Sequence, residues 1–232
     1  MSTIQNLIDE VRGYVNEPST VSPGFYDNTE LLNYFKRNVY DLCVDTDVNY
    51  KQYVYTAAGA ETSLTIPQIT GSAETRILAL DFLLIKQAGD SYYRDLKKVA
   101  PDTRYNSTSS TTTNVNCQFF GDKLYFNQAL TATDSIIIAG RFLNTSVTDV
   151  TSTYPFDLMC EEVSINKATS ISFLKAEKLE VAKAWMDMHI EKKKQVKDYY
   201  AKLVLFNYPS TVSVDKKSGI GLINRLDYSS IP

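Results

Sequence analysis

The 232 residues are enough for one large domain or two small ones, and a composition of 44% hydrophobic and 22% charged residues allows a real core. A net charge of −3 argues against a surface that grips nucleic acid throughout, while leaving room for a local basic face. Cys43, Cys117 and Cys160 are odd in number and far apart, there is one histidine, and no apolar run reaches membrane length. These features disfavour a disulfide framework, histidine-based zinc or Ser–His chemistry, and a membrane span.

The chain opens with Met1-Ser2-Thr3-Ile4-Gln5, which has no basic run or long apolar stretch, so no signal peptide is expected and a cytoplasmic site of synthesis and use fits. Ser2 with Gln5 reads as a helix start, and Ile4, Leu7, Ile8, Val11 and Val15 recur at helical spacing up to Glu17-Pro18. Asp27-Asn28-Thr29-Glu30 reads as a capping box for a second helix, whose stripe is Leu31, Leu32, Phe35, Val39 and Leu42.

From Tyr50 the period changes to two. Gln52–Thr56 and Thr62–Ile66 read as strands around Ala58-Gly59-Ala60. Thr75–Gln87 is a near-continuous apolar run, favoured as strand by its flanking turns. Tyr92–Leu96, a hairpin of Val115–Phe120 and Lys123–Asn127, and Ile136–Phe142 complete about seven strands. Asn106–Asn114 is almost pure Ser, Thr and Asn and reads as a mobile surface loop. Helical pattern returns over Leu158–Leu174 and again from about Ala176 to Leu205.

The resulting expectation is an α+β chain. N-terminal helices (1–48) and C-terminal helices (151–206) pack as one bundle, residues 49–150 form a β-sandwich or open-barrel insertion, and residues 207–232 form an extended arm. Ile220, Leu222, Ile223, Leu226, Tyr228 and Ile231 lie in that arm without helix or strand period, so they cannot build a core alone. They can bury themselves on a partner, each gaining about 1.5–3 kcal/mol if fully buried.

No phosphate-binding glycine loop, HExxH or GxSxG sequence occurs, so no catalytic residue, metal or cofactor is assigned. His189, between Met188 and Ile190, reads as a surface or half-buried structural residue. Glu161-Glu162 and the pair Glu177 and Glu180 could face a divalent ion, but neighbouring lysines favour a solvated helix face. Lys192, Lys193, Lys194 and Lys197 crowd two turns. Their function would be contact with phosphates or an acidic partner, against the plain alternative of cations near a helix C-terminus. Sixteen tyrosines against one tryptophan suit half-buried surfaces between subunits as well as strands.

Several segments together resemble the head-to-tail connector (adaptor) proteins of tailed bacteriophages, especially those of short-tailed phages. Asp27-Asn28-Thr29-Glu30-Leu31-Leu32-Asn33-Tyr34-Phe35 resembles the family's helix opening. Ala79–Lys86 is similar to its Asp-Phe-Leu segment, with Leu80 where a proline often stands. Gly121–Asn127 resembles its hairpin, and Asp157–Leu203 its paired C-terminal helices with Ala182 and Trp185. The resemblance implies a virion protein of the neck, assembled in the host cytoplasm. It would form a homo-oligomeric ring, commonly of twelve copies, below the portal protein. Tail proteins would bind beneath, and double-stranded DNA would pass through without sequence-specific binding. It further implies that residues 207–232 dock to the portal and that Lys192, Lys193, Lys194 and Lys197 contact the portal or the DNA channel. Two alternatives remain open: a tail-tube or collar subunit, and a protein- or carbohydrate-binding module built on the β insert.

Overall fold

The computed structural model describes residues 1–16, 26–72, 74–98 and 115–207. Of the described residues, 45% are helix and 25% strand. In order its elements are α1 (Ile4–Tyr14), α2 (Asn28–Asp45), β1 (Tyr50–Thr56), β2 (Ser63–Thr65), α3 (Ile66–Thr70), β3 (Glu74–Lys86) and β4 (Arg94–Asp95). Then follow β5 (Lys97–Lys98), β6 (Asn116–Phe120), β7 (Lys123–Phe126), β8 (Ser135–Asn144), α4 (Leu158–Lys175) and α5 (Leu179–Asn207). The strands form two four-stranded sheets, ordered β1-β8-β3-β4 and β2-β7-β6-β5, and the β5–β6 pair is parallel. The expected arm and the Asn106–Asn114 loop lie outside the described residues, apart from Asn207 at the end of α5.

The chain divides into two compact units, with the crossings inside β1, after α3, inside β3 and β8, and in the last turns of α5. The first unit holds Met1–Lys51, Gly71–Ala79 and Arg141–Ala201. Its core joins Ile4, Leu7, Ile8 and Val11 of α1 to Leu31, Phe35, Val39 and Leu42 of α2 and to Cys160, Val163, Ile165 and Ala168 of α4. The predicted stripes of α1 and α2 thus meet each other and α4, although α1 and α4 are far apart in sequence, while Leu158 and Leu174 of the apolar positions in α4 are exposed; each fully buried aliphatic side chain contributes about 1.5–3 kcal/mol. Side-chain hydrogen bonds fix how the helices meet. Asn38 donates to Ser164 Oγ at 2.6 Å, Tyr26 OH donates to the Ser172 carbonyl at 2.6 Å, and Glu161 accepts from both Ser2 N and Ser2 Oγ at 2.9 Å.

Of the described residues, the second unit holds those within Gln52–Thr70 and Leu80–Gly140 and the end of α5 from Lys202. In β7 the alternation is complete: Leu124 and Phe126 are buried while Lys123 and Tyr125 are exposed. The β6–β7 hairpin turns at Gly121, whose φ of 65° suits glycine, and pairs Cys117 with Phe126 and Phe119 with Leu124.

Four details depart from expectation. Thr3, not Ser2, caps α1, accepting from Asn6 N at 3.3 Å; Ser2 is engaged by Glu161 instead. Asp27 occupies the cap position of α2 without a side-chain cap bond, and Glu30, expected to reach back to it, instead engages Tyr34 OH and Lys175 Nζ. The strand expected to run to Ile66 stops at Thr65, where Gln68 Oε1 accepts from Thr65 N and the chain turns into α3. Strands β1 and β2, expected around one turn, belong to different sheets. Glu61 accepts from Ala58 N and Gly59 N at 2.7 Å, and Ala60 N and Leu130 N tie the turn to the Leu130 segment rather than closing a hairpin. Among the described residues there are eight strands where about seven were expected, and β3 and β8 are long, at 13 and 10 residues.

Candidate interaction surface

Helix α5 organises the chemistry of the first unit. Ala182, His189 and Val196 recur at intervals of seven and face the core. Ser170 Oγ donates to the Ala182 carbonyl at 2.7 Å and so pins α5 to α4. The join between the two helices is a Schellman turn: Lys178 N donates to the Phe173 carbonyl and Glu177 N to that of Leu174, with Glu177 left-handed at φ 58°.

On one side of α5 lies α1, where the Tyr14 and Trp185 rings stand 4.9 Å apart. Val181, Trp185 and Met188 follow at spacings of four and three, and Val181 and Met188 are exposed. Glu10, which accepts from Tyr14 OH at 3.1 Å, gives this side a carboxylate with no ion pair among the described residues, whereas Glu162 is matched there by Lys192 at 2.7 Å. Tyr14 registers that charge: the bond to Glu10, then burial, then the fields of Glu10 and Glu162 raise its pKa.

On the other side lies the C-terminal end of α2. Its carboxylates collect cations, as a helix C-terminus favours. Lys167 pairs with Asp41, Lys193 with Asp45 at 2.5 Å, and Arg141 with Asp47 at 3.8 Å, while Arg141 also donates to the Val44 carbonyl at 2.7 Å. These groups border a groove of about 740 Å³ whose apolar wall is Val44, Met186 and Ile190 and whose rim carries Lys194 and Lys197. Through Lys167 it adjoins a smaller hollow of about 350 Å³ lined by Tyr34, Arg37 and Tyr40.

The four lysines singled out in the sequence therefore divide. Lys192 and Lys193 hold carboxylates of α4 and α2, whereas Lys194 and Lys197 are exposed and carry no ion pair among the described residues. Arg141 and Lys167, which complete the basic groove, had no signal in the sequence, because only the tertiary fold brings β8, α4 and α5 to the end of α2. The six apolar arm positions, Ile220, Leu222, Ile223, Leu226, Tyr228 and Ile231, lie outside the described residues.

His189 is more buried than expected, at 5% exposed, and its Nδ1 lies 3.0 Å from the Val163 carbonyl, the geometry of a ring N–H donating to that oxygen. Burial above all, helped by Lys167 and Lys193, lowers its pKa and keeps it neutral. Glu161 is likewise a buried structural acceptor rather than an ion ligand. Cys43, Cys117 and Cys160 are buried and outside any disulfide, and burial pushes the Cys160 pKa up, away from nucleophilic use. Among the described residues no three His, Cys, Asp or Glu side chains converge as metal ligands, and no helix is long and apolar enough to cross a membrane.

The tyrosines divide by burial, and the core ones lie outside the strands. Tyr154 and Tyr26 are core residues, while Tyr14, Tyr40, Tyr92, Tyr125 and Tyr199 are exposed. Compared with protein-family models and with curated proteins, the chain matches none.

Proposed function

We propose that this chain is a non-enzymatic virion subunit, the head-to-tail connector of a tailed bacteriophage of the short-tailed kind. In this reading it forms a homo-oligomeric ring, commonly of twelve copies, under the portal protein. The ring extends the DNA channel in the neck of the virion and gives tail proteins a platform. The helices from both ends of the chain act as one bundle, the β-rich insertion is a sandwich or open barrel, and residues 207–232 are the portal-docking arm.

The observation that carries the reading is the shared core of α1, α2 and α4, built from the two ends of the chain around a long β-rich interruption. This is the order of elements on which the resemblance rests. Exposed apolar residues on the same unit, with Leu158 at 69% and Ile190 at 60% exposed, support a life in an assembly.

A second reading is favoured by the β6–β7 hairpin, where Phe120 is 68% exposed and Tyr125 stands on the same side of the sheet as the solvent. An aromatic face of this kind also suits a protein- or carbohydrate-binding module.

The test is to co-express the chain with the portal protein of the same virion and inspect particles by negative stain. Rings with a central hole, alone or on the portal, are expected. A persistent monomer that binds a glycan and ignores the portal would falsify the connector reading in favour of the second one. Removing residues 207–232 is expected to leave a folded protein that no longer docks; undiminished docking would overturn the arm assignment.

A further inference from the structure

Helix α5 separates two flanks, each with an apolar centre and with unpaired charges of opposite sign at its border, while the Glu162–Lys192 pair on one flank and the Asp45–Lys193 pair on the other are internally matched. On the α1 side, Val181, Trp185 and Met188 form the apolar stripe. Glu10 and Glu191 border it, the latter three residues beyond Met188, and neither has a cationic partner among the described residues. On the α2 side, Met186 and Ile190 form the apolar centre. Lys194 and Lys197, four and seven residues beyond Ile190, border it without carboxylate partners among the described residues.

We infer that a second copy of this chain is the occupant of the basic groove: the acidic, aromatic α1–α5 flank of one subunit seats against the Lys194–Lys197 flank of the next. This deepens the ring reading above and rests on it. Charge complementarity selects this occupant, because the groove carries unmatched cations around an apolar floor and the same molecule carries unmatched carboxylates around an apolar ridge. The two flanks lie on different sides of one helix, so each subunit that fills one leaves the other open. The contact is therefore head-to-tail and propagates from subunit to subunit, which is the kind of interface that closes into rings. It also gives a role to exposed apolar side chains that otherwise face water at a cost: Met188 at 42% and Ile190 at 60% exposed.

The experiment uses the full chain and two charge reversals, Lys194→Glu with Lys197→Glu, and Glu10→Lys with Glu191→Lys. Self-association is followed by sedimentation velocity and negative stain, alone and with the portal protein, at low and high salt. The wild type is expected to associate and to weaken as salt rises. Each double variant should associate roughly tenfold or more weakly. An equimolar mixture of the two should recover, because each reversed flank then meets an oppositely charged one. Circular dichroism and Trp185 fluorescence establish that each variant folds. If a reversal does not fold, Lys194→Ala with Lys197→Ala serves instead and should weaken association less. Rings that form equally well from both folded variants, or a mixture that does not recover, overturn this interface while leaving the ring reading intact. A wild type that stays monomeric with and without the portal overturns the ring reading, and this interface with it.

Discussion

In the helical unit, hydrogen bonds cross the core between residues far apart in the chain: Asn38 and Ser164 are separated by 126 positions, Tyr26 and Ser172 by 146, Ser2 and Glu161 by 159. In the β-rich unit the buried side chains are chiefly Leu, Ile, Phe and Val. Its side-chain bonds span shorter separations, from three positions for Glu61 to Ala58 N and Asp134 to Thr131 N up to 46 for Asp134 to Ala88 N. The contrast follows from how each architecture sets its register. Strands are aligned by their own ladders and turns, so an apolar face suffices. Helices meeting on apolar stripes can slide and rotate at small cost, and a buried polar pair penalises every arrangement but one.

This comparison can be broken by four substitutions. The largest effect belongs to the β-rich unit: Leu124→Ala removes a fully buried side chain from an apolar core and should cost about 2–5 kcal/mol in urea unfolding followed by circular dichroism. Ser164→Ala deletes a single oxygen in the helical unit. It strands the Asn38 amide and removes one partner of Tyr154 OH, so about 1–3 kcal/mol is expected by the same measurement. An effect near zero would mean that the helices are aligned by apolar packing alone. Glu177→Gly relieves a left-handed position at the α4–α5 join and should raise stability by about 1 kcal/mol, visible as a higher midpoint by Trp185 fluorescence.

The smallest effect concerns pH. The folded-state pKa of His189 lies below its ordinary value of about 6.5, so folding favours the neutral ring. That contribution is complete above about pH 6.5 and is lost as pH falls through the depressed folded-state value. His189→Asn can keep a donor toward the Val163 carbonyl and should flatten the fall in melting temperature over this acidic window. An unchanged pH profile would show that another group governs it.

Much of the element order was legible. The stripes of α1 and α2 follow the 3.6-residue period, whereas α4 leaves Leu158 and Leu174 exposed and α5 leaves Leu179, Val181, Met188 and Tyr199 exposed; β6 and β7 announce themselves by alternation around Gly121-Asp122. Caps were less legible, since a side chain that suits a cap has competitors the sequence does not reveal: Glu161 for Ser2, and Lys175 and Tyr34 for Glu30. Asp157 illustrates the converse. It caps α4 through Cys160 N at 3.1 Å and also accepts from Tyr200 OH at 2.7 Å, a partner supplied from α5. Among the four clustered lysines the sequence offered no way to tell engaged from free.

What the sequence determined by itself is local: periodicity, turn residues, and the charges available to each helix face, because these depend on neighbours a few positions away. What only the tertiary structure decided is pairing over long separations. Which carboxylate meets Lys193, which helix buries His189, and which flank of α5 is left acidic or basic all depend on segments more than twenty residues apart in the chain being brought together. A linear pattern carries no record of that distance, whereas a folded core fixes it through shape, burial and the requirement that buried polar groups find partners.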